Sequence, residues 1–266
     1  MYNIIKSLNY SARHDTTNII TIISMLGVPA FVAYLTGLIN GDSMQKMTPS
    51  VYFGGQTMGT VFVFMCFGIM ILSCRLVAGD ASDKTINYEF LAGHDRGSIF
   101  AGRMTAGFLW GAVLNFILMM VPVFAFECLY GWGLETNKTE VLIRCGLVFF
   151  AIVRFAAYSM MLATITRSAG KGIALGYATL MVIAMVQSVF EEMLNISVIY
   201  PTAFTNACNL LVSENSKNVV IDGKTVTVFD TSVTTDMAVK TIVVSVIFTV
   251  IYMLITYVNF KKKDRD

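Results

Sequence analysis

Charge is scarce in this sequence. Asp, Glu, Lys and Arg make up 14% of its 266 residues, against roughly 25% in a soluble globular domain. That is too little to coat a water-facing surface, so a polar-surfaced soluble fold is excluded. The formal net charge is only +2, and no basic patch interleaved with aromatics points to nucleic acid. Histidine is rarer still: His14 and His94, both in polar segments. There is no H-E-x-x-H, no G-x-S-x-G and no metal-spaced Cys/His cluster, so neither a catalytic residue nor a metal site is expected. A phosphate-cradling G-x-x-x-x-G-K-[ST] loop is also missing, which rules out nucleotide binding of that kind by this chain. The five cysteines (Cys66, Cys74, Cys128, Cys145 and Cys208) form no C-x-x-C pair. Cys128 and Cys145 fall near the ends of adjacent apolar runs and can be read as a bridge or as small buried residues.

Apolar residues, by contrast, are plentiful. They account for 56% of the chain, and the mean hydropathy is +0.68. Six runs reach the roughly 20 residues that a bilayer-spanning helix needs: Thr17–Ile39, Thr57–Val77, Thr105–Tyr130, Leu142–Thr166, Gly172–Met193 and Ala238–Tyr257. None alternates strictly, so helices fit better than a barrel. Gly27 with Pro29, and Pro122, are expected kinks that membrane helices tolerate. The first run is too long for a cleavable secretory signal and lacks a small-x-small site, so none is expected. With no repeat and no low-complexity linker, residues 1–266 read as one all-α transmembrane domain of six helices.

Orientation follows from the Lys and Arg residues near the span ends. Of the 19, twelve fall on the side of the N-terminus and six on the other, with Arg154 inside a span. Both termini are therefore expected in the cytoplasm, and "FKKKDRD" at the end strengthens that. Residues 1–15 place Ile4, Ile5, Leu8 and Ala12 on one helical face, with Lys6, Asn9 and Arg13 turned away. That spacing predicts a short amphipathic helix, either lying in the membrane interface or forming an ordinary stub of the first span. On the outer side, residues 194–237 form the longest loop. It contains two β-branched runs around Asp222-Gly223, a strong hairpin signal.

Few polar groups interrupt the spans. Arg154 sits near the middle of the fourth, where a charge costs roughly 2.5–3.5 kcal/mol on insertion scales. Asn115 lies at similar depth in the third span and is its expected hydrogen-bonding partner; Gln187 in the fifth can join them. The three are read either as lining a cavity that touches cargo or as structural contacts between helices. Glu127, Glu191 and Glu192, near outer helix ends, either gate an exit or simply face water. The 17 methionines and 19 phenylalanines suit varied apolar cargo and ordinary packing alike.

The polar stretch "VAGDASDKTINYEFLAGHDRGSIFAGRM" between the second and third runs is the one substantial cytoplasmic loop, residues 78–104. Ile86, Phe90 and Leu91 fall at i, i+4 and i+5, with Lys84 and Asn87 on other faces. Asp80, Ser82 and Asp83 can cap such a helix and Gly93 can end it. A capped two-turn helix held between spans suits a groove on a soluble partner.

With Asp80, the Lys84-Thr85-Ile86 turn, Leu91, Arg96 and Arg103 in this loop, and "YPTAF" (Tyr200 to Phe204) after the fifth span, the chain resembles the permease subunits of ABC exporters. The class is the one that moves drugs, polysaccharides and lantibiotics, and within it the chain looks most like the branch for lantibiotic or bacteriocin immunity and antimicrobial-peptide export. It departs from the usual pattern in having Asp80 for Glu, no Pro before Arg96, and Arg103 for Lys. The resemblance implies that the stretch is a coupling helix, with Asp80, Lys84, Thr85, Ile86, Phe90, Leu91, Arg96 and Arg103 meeting a separate ATPase. It implies that Tyr200, Pro201 and Phe204 open a re-entrant element at an outer gate. It further implies ATP and Mg on the partner ATPase, a second identical or related permease, and a bacterial plasma membrane. The cargo it implies is an amphipathic, lantibiotic-like peptide or another apolar antimicrobial. The alternatives are an ion-driven secondary transporter, disfavoured by the absence of repeated halves, and a non-transporting scaffold or sensor.

Overall fold

Asp15 divides the first apolar segment into two helices, and its side chain explains the division. The computed structural model describes residues 2–39, 48–53, 57–79, 91, 93, 95–194, 200, 202–212, 215–221 and 224–262. Helix α1 (Tyr2–His14) and helix α2 (Thr16–Ile39) meet at a 68° bend. At the bend, Asp15 Oδ1 accepts the Thr17 N–H at 2.8 Å, the pattern of a helix N-cap. Its other oxygen accepts the Arg75 guanidinium, with Nε at 3.0 Å. Burial would raise the Asp15 carboxyl, but these bonds outweigh it and hold the group below its ordinary value. The expected stripe of α1 is buried at Ile4, Leu8 and Ala12. Ile4 and Leu8 pack on Ile99, Ala106 and Phe260, so the stripe faces protein, while Tyr2 and Tyr10 point outward.

After the short helix α3 (Pro49–Phe53), helix α4 (Thr57–Cys74) continues into a π-helical turn, Arg75–Gly79. Helix α5 spans Arg96–Tyr130 and contains a second π turn, Leu109–Leu114. Helices α6 (Lys138–Thr166) and α7 (Ala169–Leu194) follow. Next come the short helix α8 (Ala203–Leu211) and strands β1 (Ser216–Ile221) and β2 (Lys224–Phe229), and then helix α9 (Thr235–Lys262). Five helices are long and apolar enough to cross a membrane, and the bent α1–α2 pair makes a sixth candidate. The all-α membrane fold stands. The hairpin pairs Ile221 with Lys224, the register a two-residue Asp-Gly connection requires.

Helices α4 and α6 occupy the middle: 72% of the α4 span is buried, against 11% for α7 and 17% for α9. The core between them holds Phe62, Met65, Ile69, Met119, Ile152 and Phe155. Met58, Met70 and Met160 are likewise buried, so much of the methionine content is packing. All five cysteines are free; Cys145 is buried and Cys128 exposed, so the conceivable bridge is not formed. At one end of the bundle sit α1, the Asp15–Arg75 pair and the Phe260 end of α9. At the other sit α3, α8 and the hairpin, where Ser50 binds Trp132 and Thr136 through backbone and hydroxyl.

Two expectations change. The helix that carries the third span starts at Arg96, ahead of the apolar run from Thr105, because Asp95 caps it by accepting the Ser98 N–H at 3.0 Å. Arg96 and Arg103, expected in the polar loop, therefore stand on α5, and Arg103 is 1% exposed. Counting apolar residues misses this start because the first turns of α5 are amphipathic and bury Ile99 against α1. Asp80, Lys84, Thr85, Ile86, Phe90 and Pro201 lie outside the described residues, whereas Leu91 is 81% exposed.

The second change concerns Asn115. Its Nδ2 donates to the carbonyls of Trp110 and Gly111, both at 2.9 Å, and its Oδ1 has no partner among the described residues. Asn115 therefore satisfies carbonyls of the π turn that precedes it and does not pair with Arg154. Asn115→Leu is expected to lower stability by about 1–2 kcal/mol, since two buried carbonyls lose a donor. Equilibrium unfolding in mixed micelles checks this; unchanged stability would mean that packing alone holds the turn.

Candidate functional site

Helix α6 carries Glu140, Arg144 and Arg154 within one stripe, because Arg144 and Arg154, 4 and 14 residues after Glu140, fall about 40° to either side of it at 3.6 residues per turn. The stripe faces the segment between α7 and α9. Arg154 is 1% exposed, and its Nη1 donates to the Tyr200 carbonyl at 2.9 Å. Its guanidinium lies 4.6 Å from the centre of the Phe248 ring on α9. A backbone carbonyl and an aromatic face thus receive the charge that the sequence places at mid-span.

Gln187 on α7 reaches the same segment. Its Oε1 accepts from the hydroxyls of Thr205 at 2.5 Å and Thr202 at 3.4 Å. Phe204 stacks on Phe62 of α4 with centroids 6.2 Å apart. Asn206 Oδ1 accepts the Thr241 hydroxyl of α9 at 3.3 Å. The entrance to α8 is therefore held from α4, α6, α7 and α9 together. Of the residues picked out in the sequence, Arg154 and Gln187 of the spans come together here with Tyr200 and Phe204 of the outer loop, and Asn115 does not.

About 15 Å along α6 from Arg154, Arg144 holds the far end of the same segment. Its Nε donates to the Thr231 carbonyl at 2.9 Å and its Nη2 to that of Ser232 at 3.0 Å. Nη1 reaches the Leu210 carbonyl, in the last turn of α8, at 3.5 Å. Carbonyls left open at a helix C-terminus favour such a cation. Glu140 accepts the Thr231 hydroxyl at 2.7 Å. The Ser232 N–H and hydroxyl hold the neighbouring Asp230 carboxyl below its usual range. These contacts were missed because Arg144 reads as one more charge near a span end. Its i, i+4 spacing from Glu140, on the stripe of Arg154, was the available signal.

The hairpin is fastened at its base, where Phe229 N–H donates to the Glu135 carbonyl and Asp230 N–H to that of Asn215, both at 2.8 Å. Between it and the first turn of α6 lies an open cleft of about 690 Å³, lined by Asn137, Glu140, Lys217, Val219 and Val228 among others. That volume is in the range of small-ligand sites. Glu127 pairs with Lys138 across the α5–α6 turn, beside Trp132. Glu191 and Glu192 stand in the last turn of α7, and their side chains lie outside the described residues.

The arrangement binds and positions a short helix that enters the bundle from the hairpin end; among the described residues, its charged groups are engaged by backbone and hydroxyl partners. Comparison with curated proteins finds no relative of this chain. A family model described as ABC-2 family transporter protein matches residues 7–265, from the second turn of α1 through all of α9. The chain belongs to the ABC-2 transporter family.

Proposed function

We propose that this chain is the permease of an ATP-driven exporter that moves an amphipathic peptide or another apolar antimicrobial out of a bacterial cell. Membership of the family makes the chain a multi-pass membrane subunit of an ABC transporter, and such subunits work with an ABC ATPase. The match over residues 7–265 is the observation that carries the reading. In the proposal, ATP and Mg are held by the partner, a second identical or related permease completes the passage, and both termini face the cytoplasm. The twelve-to-six bias of Lys and Arg supports that orientation.

The polar stretch around Leu91 is proposed to dock into the ATPase. An exposed leucine, 81% accessible, at the bundle end that also carries α1 is an apolar anchor of the right kind. Binding alone would not drive transport; contact must differ between nucleotide states, since only a difference shifts an equilibrium. At the hairpin end, Arg154, Gln187 and Tyr200 are proposed to set the gate through which cargo leaves.

A mild-detergent pull-down from native membranes, with mass spectrometry of what is retained, tests the reading. A P-loop ATPase with one or two permease chains is expected. The double substitution Phe90→Asp and Leu91→Asp is expected to lower ATPase recovery tenfold or more. Recovery of this chain without an ATPase, under conditions that preserve known complexes, overturns the proposal.

A further inference from the structure

The two π turns are neighbours in space as well as similar in kind. Gly111, in the second turn, is packed so closely on Ser73 that a Cβ there would lie 1.8 Å from Ser73 Oγ. Ser73 stands two residues before the first turn, Arg75–Gly79. A π turn holds an extra residue in the helix and is a place where one half can change register against the other. In sequence, these two turns bracket the polar stretch that begins at Asp80.

Helix α1 is bonded to both. Asp15, at its end, accepts Nε and Nη2 of Arg75, the first residue of the first turn. Asn9 Oδ1 accepts the indole N–H of Trp110, the second residue of the second turn, at 3.1 Å. Ahead of both ties, Ile4 and Leu8 of α1 lie on Ile99 and Ala106 of α5. The pairs differ in chemistry, one an ion pair and one a neutral hydrogen bond, and each joins residues at least 60 positions apart. An amphipathic helix that only covered its neighbour would need the apolar stripe and neither of these.

We propose that α1 is a strap that keeps the two π turns in register and passes movement of the intervening polar stretch into α4 and α5, with Asp15 and Asn9 as positioning residues acting through Arg75 and Trp110. The strap rests on the coupling role proposed above. It makes α1 part of the transmission, so that loosening its ties separates ATP turnover from movement of the spans.

Two substitutions remove the ties and little else. Asp15→Asn keeps a side chain able to cap α2 but loses the charge that Arg75 binds. Trp110→Phe keeps an aromatic ring but loses the N–H. In nanodiscs holding the complex with its ATPase, spin labels at Val121 of α5 and Val243 of α9, both exposed, report distance with and without ATP and Mg. The double variant is expected to retain its ATPase and turnover within twofold, while its nucleotide-dependent distance change falls by half or more. Arg75→Lys, which keeps the charge, is expected to preserve the change. A wild-type distance change in the double variant overturns the strap, and so does loss of the ATPase from that variant, because the ties would then serve docking.

A second measurement needs no ATPase. Labels at Ser7 on α1 and Thr105 on α5, both exposed, should give one narrow distance in the parent and at least a twofold broader distribution in the double variant. An unchanged width overturns the strap on its own. Broadening confined to the double variant, in a protein that recruits no ATPase, would instead sink the transporter reading while leaving the ties intact.

Discussion

Arg154→Met is expected to abolish transport while leaving membrane insertion as good or better. Insertion gains because a mid-span charge costs roughly 2.5–3.5 kcal/mol, and methionine is apolar and of similar reach. The folded bundle loses, because the Tyr200 carbonyl is stripped of its donor and Phe248 of its cation. A buried carbonyl without a partner costs about 1–3 kcal/mol, and the ring contact is worth about 0.5–2 kcal/mol. Among the described residues, the Arg144, Gln187 and Asn206 hydrogen bonds and the Phe62–Phe204 contact then remain on this segment. A loss of ~1.4 kcal/mol from the docked state raises the undocked population tenfold. Cys208 on α8 reports it. With the exposed Cys128 replaced by serine, the other three cysteines are buried, and maleimide labelling of Cys208 should quicken tenfold or more. If labelling is unchanged while transport is lost, Arg154 does not act by holding α8, and contact with cargo becomes the better account.

The second large effect is at Gly111. A Cβ there would meet Ser73 Oγ at 1.8 Å, Ser73 Cβ at 3.1 Å and Ser73 Cα at 3.5 Å. Rotation of the serine hydroxyl relieves the first contact and leaves the others, so alanine fits with a small adjustment and leucine does not. Gly111→Ala is expected to cost about 1 kcal/mol, and Gly111→Leu about 3 kcal/mol, with separation of the π turns. Ser73→Ala provides the control. Its Oγ is buried without a partner among the described residues, so its removal should be neutral or stabilising, and it should restore most of what Gly111→Ala loses. Thermal unfolding of the four proteins in detergent gives the coupling energy directly. If Ser73→Ala brings no recovery, then the contact between the π turns is not what limits this position.

Much of the architecture is legible along the chain, because it depends on one-dimensional quantities. A span is a run of apolar residues of bilayer length, and the expected runs agree with the helices to within a few residues at most ends. The α5 start is an exception, since Asp95 extends the helix by a polar-capped, half-buried stretch. The α1 stripe is visible as a spacing, and the hairpin as two β-branched runs around Asp-Gly. Arg154 and Gln187 stand out because a polar group in a span must find company.

What company they find is another matter. Arg154 was matched to Asn115 on depth alone, but the two point to different neighbours: one to the chain entering α8, the other to its own helix. Arg144 counts in the sequence as a charge near an outer span end, although it is the anchor of a segment some 66 to 88 positions away.

Composition and spacing were enough for the class, for runs that match the five long apolar helices and the bent α1–α2 pair, for the amphipathic first helix and for the hairpin, because each follows from local periodicity or from the demand of a bilayer. The family came from the whole-chain match. The two π turns, the α1 ties to Arg75 and Trp110, and the docking of α8 on the α6 stripe belong to the tertiary structure alone. An inserted residue in a helix has no fixed local signature, and a hydrogen bond to a backbone carbonyl requires nothing of the identity of its acceptor. Such contacts become determinate only when distant segments are packed against one another, with few alternatives left for a buried polar group.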